Sequence, residues 1–130
     1  MGLFIPTPYI YGLPERVDNF RLDTTQGIGQ PLRMQAMDVF PHDTYAREST
    51  YSSLPYLQGH SEKFDSNLLW LSASEMFIDI HNHVDGESGL EGRLVDFVVE
   101  SGRMDIFLFG SASKDAPKRV QKMFAELVGY

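Results

Sequence analysis

The sequence has no cysteine among its 130 residues, so neither a disulfide framework nor a thiolate metal site can form. It also has no basic cluster longer than Lys118-Arg119, and 18 acidic against 11 basic residues give a formal net charge of -7. Nucleic acid is therefore not an expected partner. Residues 1–6 contain no basic leader and no sustained apolar stretch, so we expect no secretory signal and no membrane span in this chain.

The composition is nevertheless that of a folded protein. Apolar residues make up 42% of the chain and aromatic residues 12%, which is too much for a disordered segment. The length is that of one domain, or of part of one. Turn residues recur about every ten positions without an internal repeat, a pattern that is typical of all-β proteins.

Three short strands are predicted in the first 40 residues, and each is ended by turn residues. They are residues 9–11 before Gly12-Leu13-Pro14, residues 19–23 before a polar stretch, and residues 32–38 before Pro41. Residues 42–53 are polar and have no period. They predict a long loop, of a kind that often has a functional role.

The second half of the chain has clearer strand patterns, at residues 68–73, 75–81 and 94–99. Residues 75–81 place Met76, Ile78 and Ile80 on one face. Residues 94–99 are apolar nearly throughout, which predicts a strand covered on both faces. A further alternating pattern consists of Met104, Ile106 and Leu108.

One helix is predicted at the C-terminal end, because a single apolar stripe has helical spacing there. The stripe consists of Val120, Met123, Phe124, Leu127 and Val128. Ser113 is the predicted N-cap, Pro117 is tolerated only near the helix start, and Gly129 is placed to end the helix in the left-handed conformation. The sequence thus predicts strands followed by one terminal helix.

The strand around Asp79 ends in His81-Asn82-His83, and His-x-His on a strand puts two imidazoles on one face, where both can reach a divalent metal ion. Amidohydrolase-type barrels begin with similar residues. Such barrels take further ligands from later strands, and no histidine follows His83. We therefore favour an ordinary strand end, with partly exposed histidines and Asp79 paired to a neighbour, over a metal site.

A glycosidase needs two carboxylates placed across a sugar ring. The pairs Asp18 and Asp23, Asp38 and Asp43, and Asp85 and Glu87 are all available, yet spacing alone does not distinguish any of them from solvated surface charge. Residue chemistry on its own leaves the function open.

Several segments, read in order, resemble family 31 glycoside hydrolases, in particular the catalytic subunits of the glucosidase II type. They are residues 11–15 (YGLPE), 18–22 (DNFRL), 37–40 (MDVF), 51–55 (YSSLP), 69–80 (LWLSASEMFIDI) and 104–110 (MDIFLFG). The most specific is residues 69–80, which is similar to the family's Phe-Trp-Leu-Asn-Ala-Ala-Glu-Thr-Trp-Val-Asp-Ile. Ser52 stands where the family has glycine, and residues 57–65 do not follow the family closely.

The resemblance implies an all-β fold, an antiparallel β-sandwich of the galactose mutarotase-like type with one C-terminal α-helix, of which residues 1–130 form a part. It implies that the catalytic barrel, with its Asp nucleophile and Asp acid for retaining hydrolysis of α-linked glucose, is absent from this chain. No catalytic residue, metal ligand or cofactor is then expected here. Asp38 is the expected substrate-binding residue, since the matching Asp contacts sugar in some relatives. The alternative is that Asp38 only caps a turn before Pro41.

The resemblance further implies a glucose-terminated oligosaccharide as the substrate of the parent enzyme, a glucosidase II β subunit as a partner, and the endoplasmic reticulum lumen as its location. Two alternatives stay open from the sequence. One is a fragment of a metal-dependent hydrolase that uses His81 and His83, and the other is a stand-alone carbohydrate-binding β-sandwich.

Overall fold

Strands dominate the regular structure of the computed structural model, which describes residues 1–27, 31–39, 43, 46–61, 66–71, 75–101, 103–112 and 115–129. The elements are β1 (Gly2–Ile5), β2 (Ile10–Gly12), β3 (Leu32–Met34), β4 (Tyr56–Gly59), β5 (Ser66–Leu71), β6 (Met76–Val84), β7 (Glu91–Val99), β8 (Ile106–Ser111) and α1 (Ala116–Val128). In this described part of the chain, no helix is long and apolar enough to cross a membrane.

The strands form two antiparallel sheets of four strands each. One has the order β1-β7-β6-β3 and the other the order β2-β4-β5-β8. Strands β6 and β7 are joined as a long hairpin that pairs Met76 with Val99 at one end and Val84 with Glu91 at the other. The antiparallel β fold with one C-terminal helix, predicted from the sequence, is confirmed.

A single hydrophobic core joins the two sheets. Met76, Ile78 and Ile80 of β6 have no exposed surface, as expected for one face of a strand whose side chains alternate. Ile10 of β2 and Leu57 of β4 belong to the same core cluster, so the second sheet packs on the first. The face predicted for β6 is therefore confirmed.

The turn after β2 also follows the prediction. Gly12 has a φ of 125°, a conformation that residues with a Cβ rarely adopt. A Cβ at this position would lie 2.2 Å from the carbonyl oxygen of Tyr56. Gly12 is thus required both by its backbone conformation and by the close approach of β4.

Two strand predictions are wrong. Strand β7 is not covered on both faces, because Val98 is 58% exposed while Val95, three residues earlier, is fully buried. Residues 19–23 do not form a strand; the Asn19 side chain instead donates to Asp23 at 2.8 Å. Such local side-chain hydrogen bonds compete with strand pairing.

The face of β8 that carries Ile106 and Leu108 is largely exposed. Leu57 of β4 and Leu108 of β8 are both in register with the same position of β5, so the side chains of Leu57 and Leu108 lie on the same face of the sheet. Leu57 is 1% exposed, whereas Leu108 is 63% exposed. The core face of this sheet is therefore covered at β4 and open at β8.

Helix α1 packs on β5 and β8 through part of its apolar stripe. Val120 is fully buried, and the Phe124 ring lies 5.3 Å from the Tyr56 ring and 6.3 Å from the Phe109 ring, measured between centroids. The other three members of the stripe are exposed, namely Met123, Leu127 and Val128.

The two ends of α1 differ in how well they were predicted. Asp115 occupies the N-cap position without a side-chain capping hydrogen bond, and Ser113, the predicted N-cap, lies outside the described residues. Pro117 lies in the first turn, as predicted. Gly129 ends the helix in the left-handed conformation with a φ of 95°, which confirms the predicted C-cap.

Candidate functional site

Asp38 lies on an extended segment that follows β3, and its side chain is exposed. Both of its neighbours in the chain are attached to residues 50–51. The Met37 amide donates to the carbonyl oxygen of Thr50 at 2.7 Å, and the Tyr51 hydroxyl donates to the carbonyl oxygen of Val39 at 3.4 Å. Asp38 is thus an exposed residue whose backbone is held by one hydrogen bond on each side of it.

The segment that holds Asp38 is itself supported from behind. Residues 48–54 run antiparallel to residues 14–17, with the Thr50 amide donating to the Glu15 carbonyl at 2.9 Å and the Glu15 amide to the Ser52 carbonyl at 3.0 Å. Residues 48–54 therefore lie between two other segments, residues 14–17 on one side and residues 37–39 on the other.

The predicted loop at residues 42–53 is described at Asp43 and at residues 46–53, and these lie outside the strands, as predicted. Their hydrogen bonds to residues 14–17 were not predicted. Ser49 and Thr50 are only 5% and 4% exposed, and the Thr50 amide is paired with Glu15 while the Ser49 hydroxyl donates to the carbonyl oxygen of Arg33.

A buried ion cluster lies at one end of this arrangement. Asp18 Oδ2 is 3.0 Å from Arg47 Nε and 3.6 Å from Arg16 Nε. The side chains of Arg16 and Asp18 are each 4% exposed and that of Arg47 is 22% exposed. Burial lowers the pKa of the Arg16 guanidinium, an effect that Asp18 opposes and the Arg47 charge reinforces.

Asp18 and Asp23, which the sequence offers as one of several possible carboxylate pairs, have separate partners, since Asp18 binds the two arginines and Asp23 accepts from Asn19. Sequence reasoning missed the cluster. The only local signal was the spacing of Arg16 and Asp18, because residues two apart in an extended segment lie on one side.

His81 and His83 lie on one side of β6, as predicted, but they have separate neighbours. His81 Nε2 is 3.9 Å from Asp96 Oδ2, and the His83 ring lies edge-on to the Phe4 ring with centroids 5.4 Å apart. Asp79 accepts a hydrogen bond from the Thr25 hydroxyl at 3.1 Å, so its expected pairing with a neighbour is confirmed. Within the described ranges, no three His, Cys, Asp or Glu side chains are grouped to hold a metal ion.

Asp85 belongs to the turn between β6 and β7. It accepts the Ser88 amide at 2.8 Å as well as the Ser88 hydroxyl, and these hydrogen bonds lower the pKa of its carboxyl group. Asp85 thus stabilises the hairpin turn, which gives it a structural role.

Comparison with known protein families gives a match for residues 4–79. The matching model describes a glycosyl hydrolase 31 N-terminal galactose mutarotase-like domain. The matched range contains Asp38, the Asp18 ion cluster and the supporting segments at residues 14–17 and 48–54.

Two characteristic relatives are similar in sequence to this chain. The neutral alpha-glucosidase AB of Homo sapiens is 37% identical over 94 residues, which cover 72% of this chain and 10% of the relative. A probable glucan 1,3-alpha-glucosidase of Arabidopsis thaliana is 33% identical, over 97% of this chain and 15% of the relative. The chain therefore spans about a tenth to a seventh of the length of these relatives.

A solved structure shares the fold. It is an ER glucosidase II heterodimeric complex, consisting of a catalytic subunit and the binding domain of a regulatory subunit. The match has a TM-score of 0.81 and 25% sequence identity, and it covers 96% of this chain and 15% of the solved chain. These comparisons support the glycosidase hypothesis and give no support to the metal-dependent hydrolase.

Proposed function

The chain belongs to the family of glycosyl hydrolase 31 N-terminal galactose mutarotase-like domains, and from this membership we propose that it supplies a sugar-contacting carboxylate, Asp38, to the pocket of an α-glucosidase. Residues 1–130 would form part of the N-terminal β-sandwich. The carboxylates that react with the glycosidic bond would come from a barrel elsewhere in the polypeptide. The substrate would be an oligosaccharide that ends in α-linked glucose.

The observation that supports this role is the exposure of Asp38 together with the hydrogen bonds made by both of its neighbours in the chain. An exposed carboxylate can accept hydrogen bonds from sugar hydroxyls, and such charge-assisted bonds are stronger than neutral ones. Fixed attachments at Met37 and Val39 reduce the conformational entropy that would be lost on binding.

Replacement of Asp38 by asparagine is expected to reduce sugar recognition without disturbing the fold. The test uses human neutral alpha-glucosidase AB in which this chain replaces the segment similar to it. Hydrolysis of p-nitrophenyl α-glucoside by this chimera should lose about 5- to 15-fold in kcat/KM, because asparagine can still accept a hydrogen bond, but a neutral one contributes about 0.5–1.5 kcal/mol where a charged one contributes about 1.5–3 kcal/mol.

The matched control is Glu48→Gln, which removes a neighbouring exposed carboxylate from the supporting segment and should leave kcat/KM unchanged. Equal activity of the Asp38→Asn chimera and the unsubstituted chimera would refute the role of Asp38. The chain alone should not hydrolyse the substrate, and robust turnover by it would contradict a purely supporting role. Saturable binding of glucose or maltose by the chain alone would favour the stand-alone carbohydrate-binding protein.

We also propose that the parent enzyme works with a regulatory β subunit in the endoplasmic reticulum lumen. The support is the solved relative, which is an ER enzyme seen in complex with the binding domain of such a subunit. Co-purification of a β subunit with the full-length parent protein would test the partner, and a parent protein that purifies alone from native membranes would contradict it.

A further inference from the structure

We infer that Arg47 is a positioning residue for Asp38, and that it acts through the ion cluster centred on Asp18. The inference rests on the proposed role of Asp38 in sugar binding. In this role Arg47 positions the backbone to which the Asp38 segment is hydrogen-bonded.

The first step is the conformation of Arg47, which has a φ of 53°, in the left-handed region that non-glycine residues adopt only at a cost. Contacts on both sides of the residue maintain it. The Arg47 side chain donates from Nε to Asp18 at 3.0 Å, while the Arg47 carbonyl oxygen accepts from Arg16 Nη2. The direction in which the chain leaves Arg47 is therefore set by the cluster.

The second step is the path from Arg47 to Asp38. Three residues after Arg47, the carbonyl oxygen of Thr50 accepts the Met37 amide at 2.7 Å, next to Asp38. Any change in the direction of the chain at Arg47 would move this acceptor.

The third step is a second attachment at the other end of the Asp38 segment. The carbonyl oxygen of Arg33, in β3, accepts from Arg16 Nη1 at 3.4 Å and from the Ser49 hydroxyl. Arg16 thus contacts both the Arg47 turn and the strand from which the Asp38 segment starts. Both ends of that segment depend on the same cluster.

The fourth step is that apolar side chains in place of this cluster could stabilise the fold equally well. In the described part of the chain, Arg16 Nε and Arg47 Nη2 are buried and have no hydrogen-bond acceptor. Buried polar groups are normally paired, and a buried ion pair is often no more stabilising than apolar side chains of the same volume. The cluster instead sets the positions of the Arg47 and Arg33 carbonyl groups, because Arg16 donates hydrogen bonds to both.

The test measures amide hydrogen exchange by NMR in the full chain, with Met37 as the local reporter and Ile80 as the core reporter. The Ile80 amide donates to the Thr25 hydroxyl at 2.9 Å, away from the cluster. In Arg47→Met, which keeps the apolar stem but removes the charge, the Met37 amide should exchange at least about tenfold faster, while Ile80 should change by less than about twofold. Glu48→Gln should change neither rate.

Arg47→Lys should restore much of the Met37 protection, since an ammonium group can still pair with Asp18. An unchanged Met37 rate in Arg47→Met would overturn the inference, and so would equal acceleration of Met37 and Ile80, which would show a general loss of stability. Failure of the lysine variant to rescue would also contradict a role through Asp18. These exchange rates do not depend on sugar binding, so a chimera unaffected by Asp38→Asn would refute the proposed function separately.

Discussion

Replacement of Asp18 by alanine is expected to lower the free energy of unfolding by about 3–5 kcal/mol, the range found when one partner of a buried ion pair is removed. The side chain of Asp18 is 4% exposed and is the acceptor for both Arg16 and Arg47. Without it, two guanidinium groups would face each other in a poorly hydrated site. Urea denaturation followed by circular dichroism measures the change.

The matched control for this prediction is Asp105→Ala. Asp105 pairs with Arg103 at 3.2 Å, but the two side chains are 50% and 88% exposed. Exposed pairs contribute little, so this variant should stay within about 0.5 kcal/mol of the parent chain. If Asp18→Ala also lowered the free energy of unfolding by no more than about 0.5 kcal/mol, the Asp18 cluster would be hydrated in solution.

The sequence predicted the fold best where one strand carries its own pattern. Met76, Ile78 and Ile80 alternate with polar or half-buried residues over a long strand, and such a period can be recognised without knowledge of the partner strand. The end of helix α1 at Gly129 was equally recognisable, because a left-handed C-cap is a local requirement.

Prediction failed where burial depends on another element. Strand β4 is four residues long and ends in Gly59, so it has almost no period of its own. Leu57 and Leu108 are alike as residues, yet the first is buried and the second is exposed. Only the arrangement of the two sheets distinguishes them, and spacing along the chain does not contain that arrangement.

In the candidate site, too, local sequence predicted some residues, and contacts between distant segments determined the others. Asp38 was named because the segment around it resembles a family motif, whereas spacing alone gave several carboxylates of equal standing. The contact between Asp18 and Arg47 joins residues 29 positions apart and could not be inferred from either neighbourhood. Local sequence thus indicated the residue that faces solvent but not the buried residues that support it.

Replacement of Ile78 by alanine should lower the free energy of unfolding by about 2–5 kcal/mol. Ile78 is fully buried in β6, where it is aligned with Leu32 of β3 on one side and Phe97 of β7 on the other. The variant loses the burial of the removed methyl and methylene groups and leaves a cavity between three strands. Urea denaturation monitored at two wavelengths gives the free energy and tests whether the transition stays two-state.

The matched control is Ile106→Ala, which removes the same atoms from a side chain that is 40% exposed at the start of β8. Because those atoms already contact water, this variant should lose less than about 1 kcal/mol. The difference between the two variants measures how far the core extends towards β8. An equally large decrease in the free energy of unfolding for Ile106→Ala would show that the open face of β8 is covered in solution. If that decrease grew with protein concentration, the covering molecule would be a second copy of the chain.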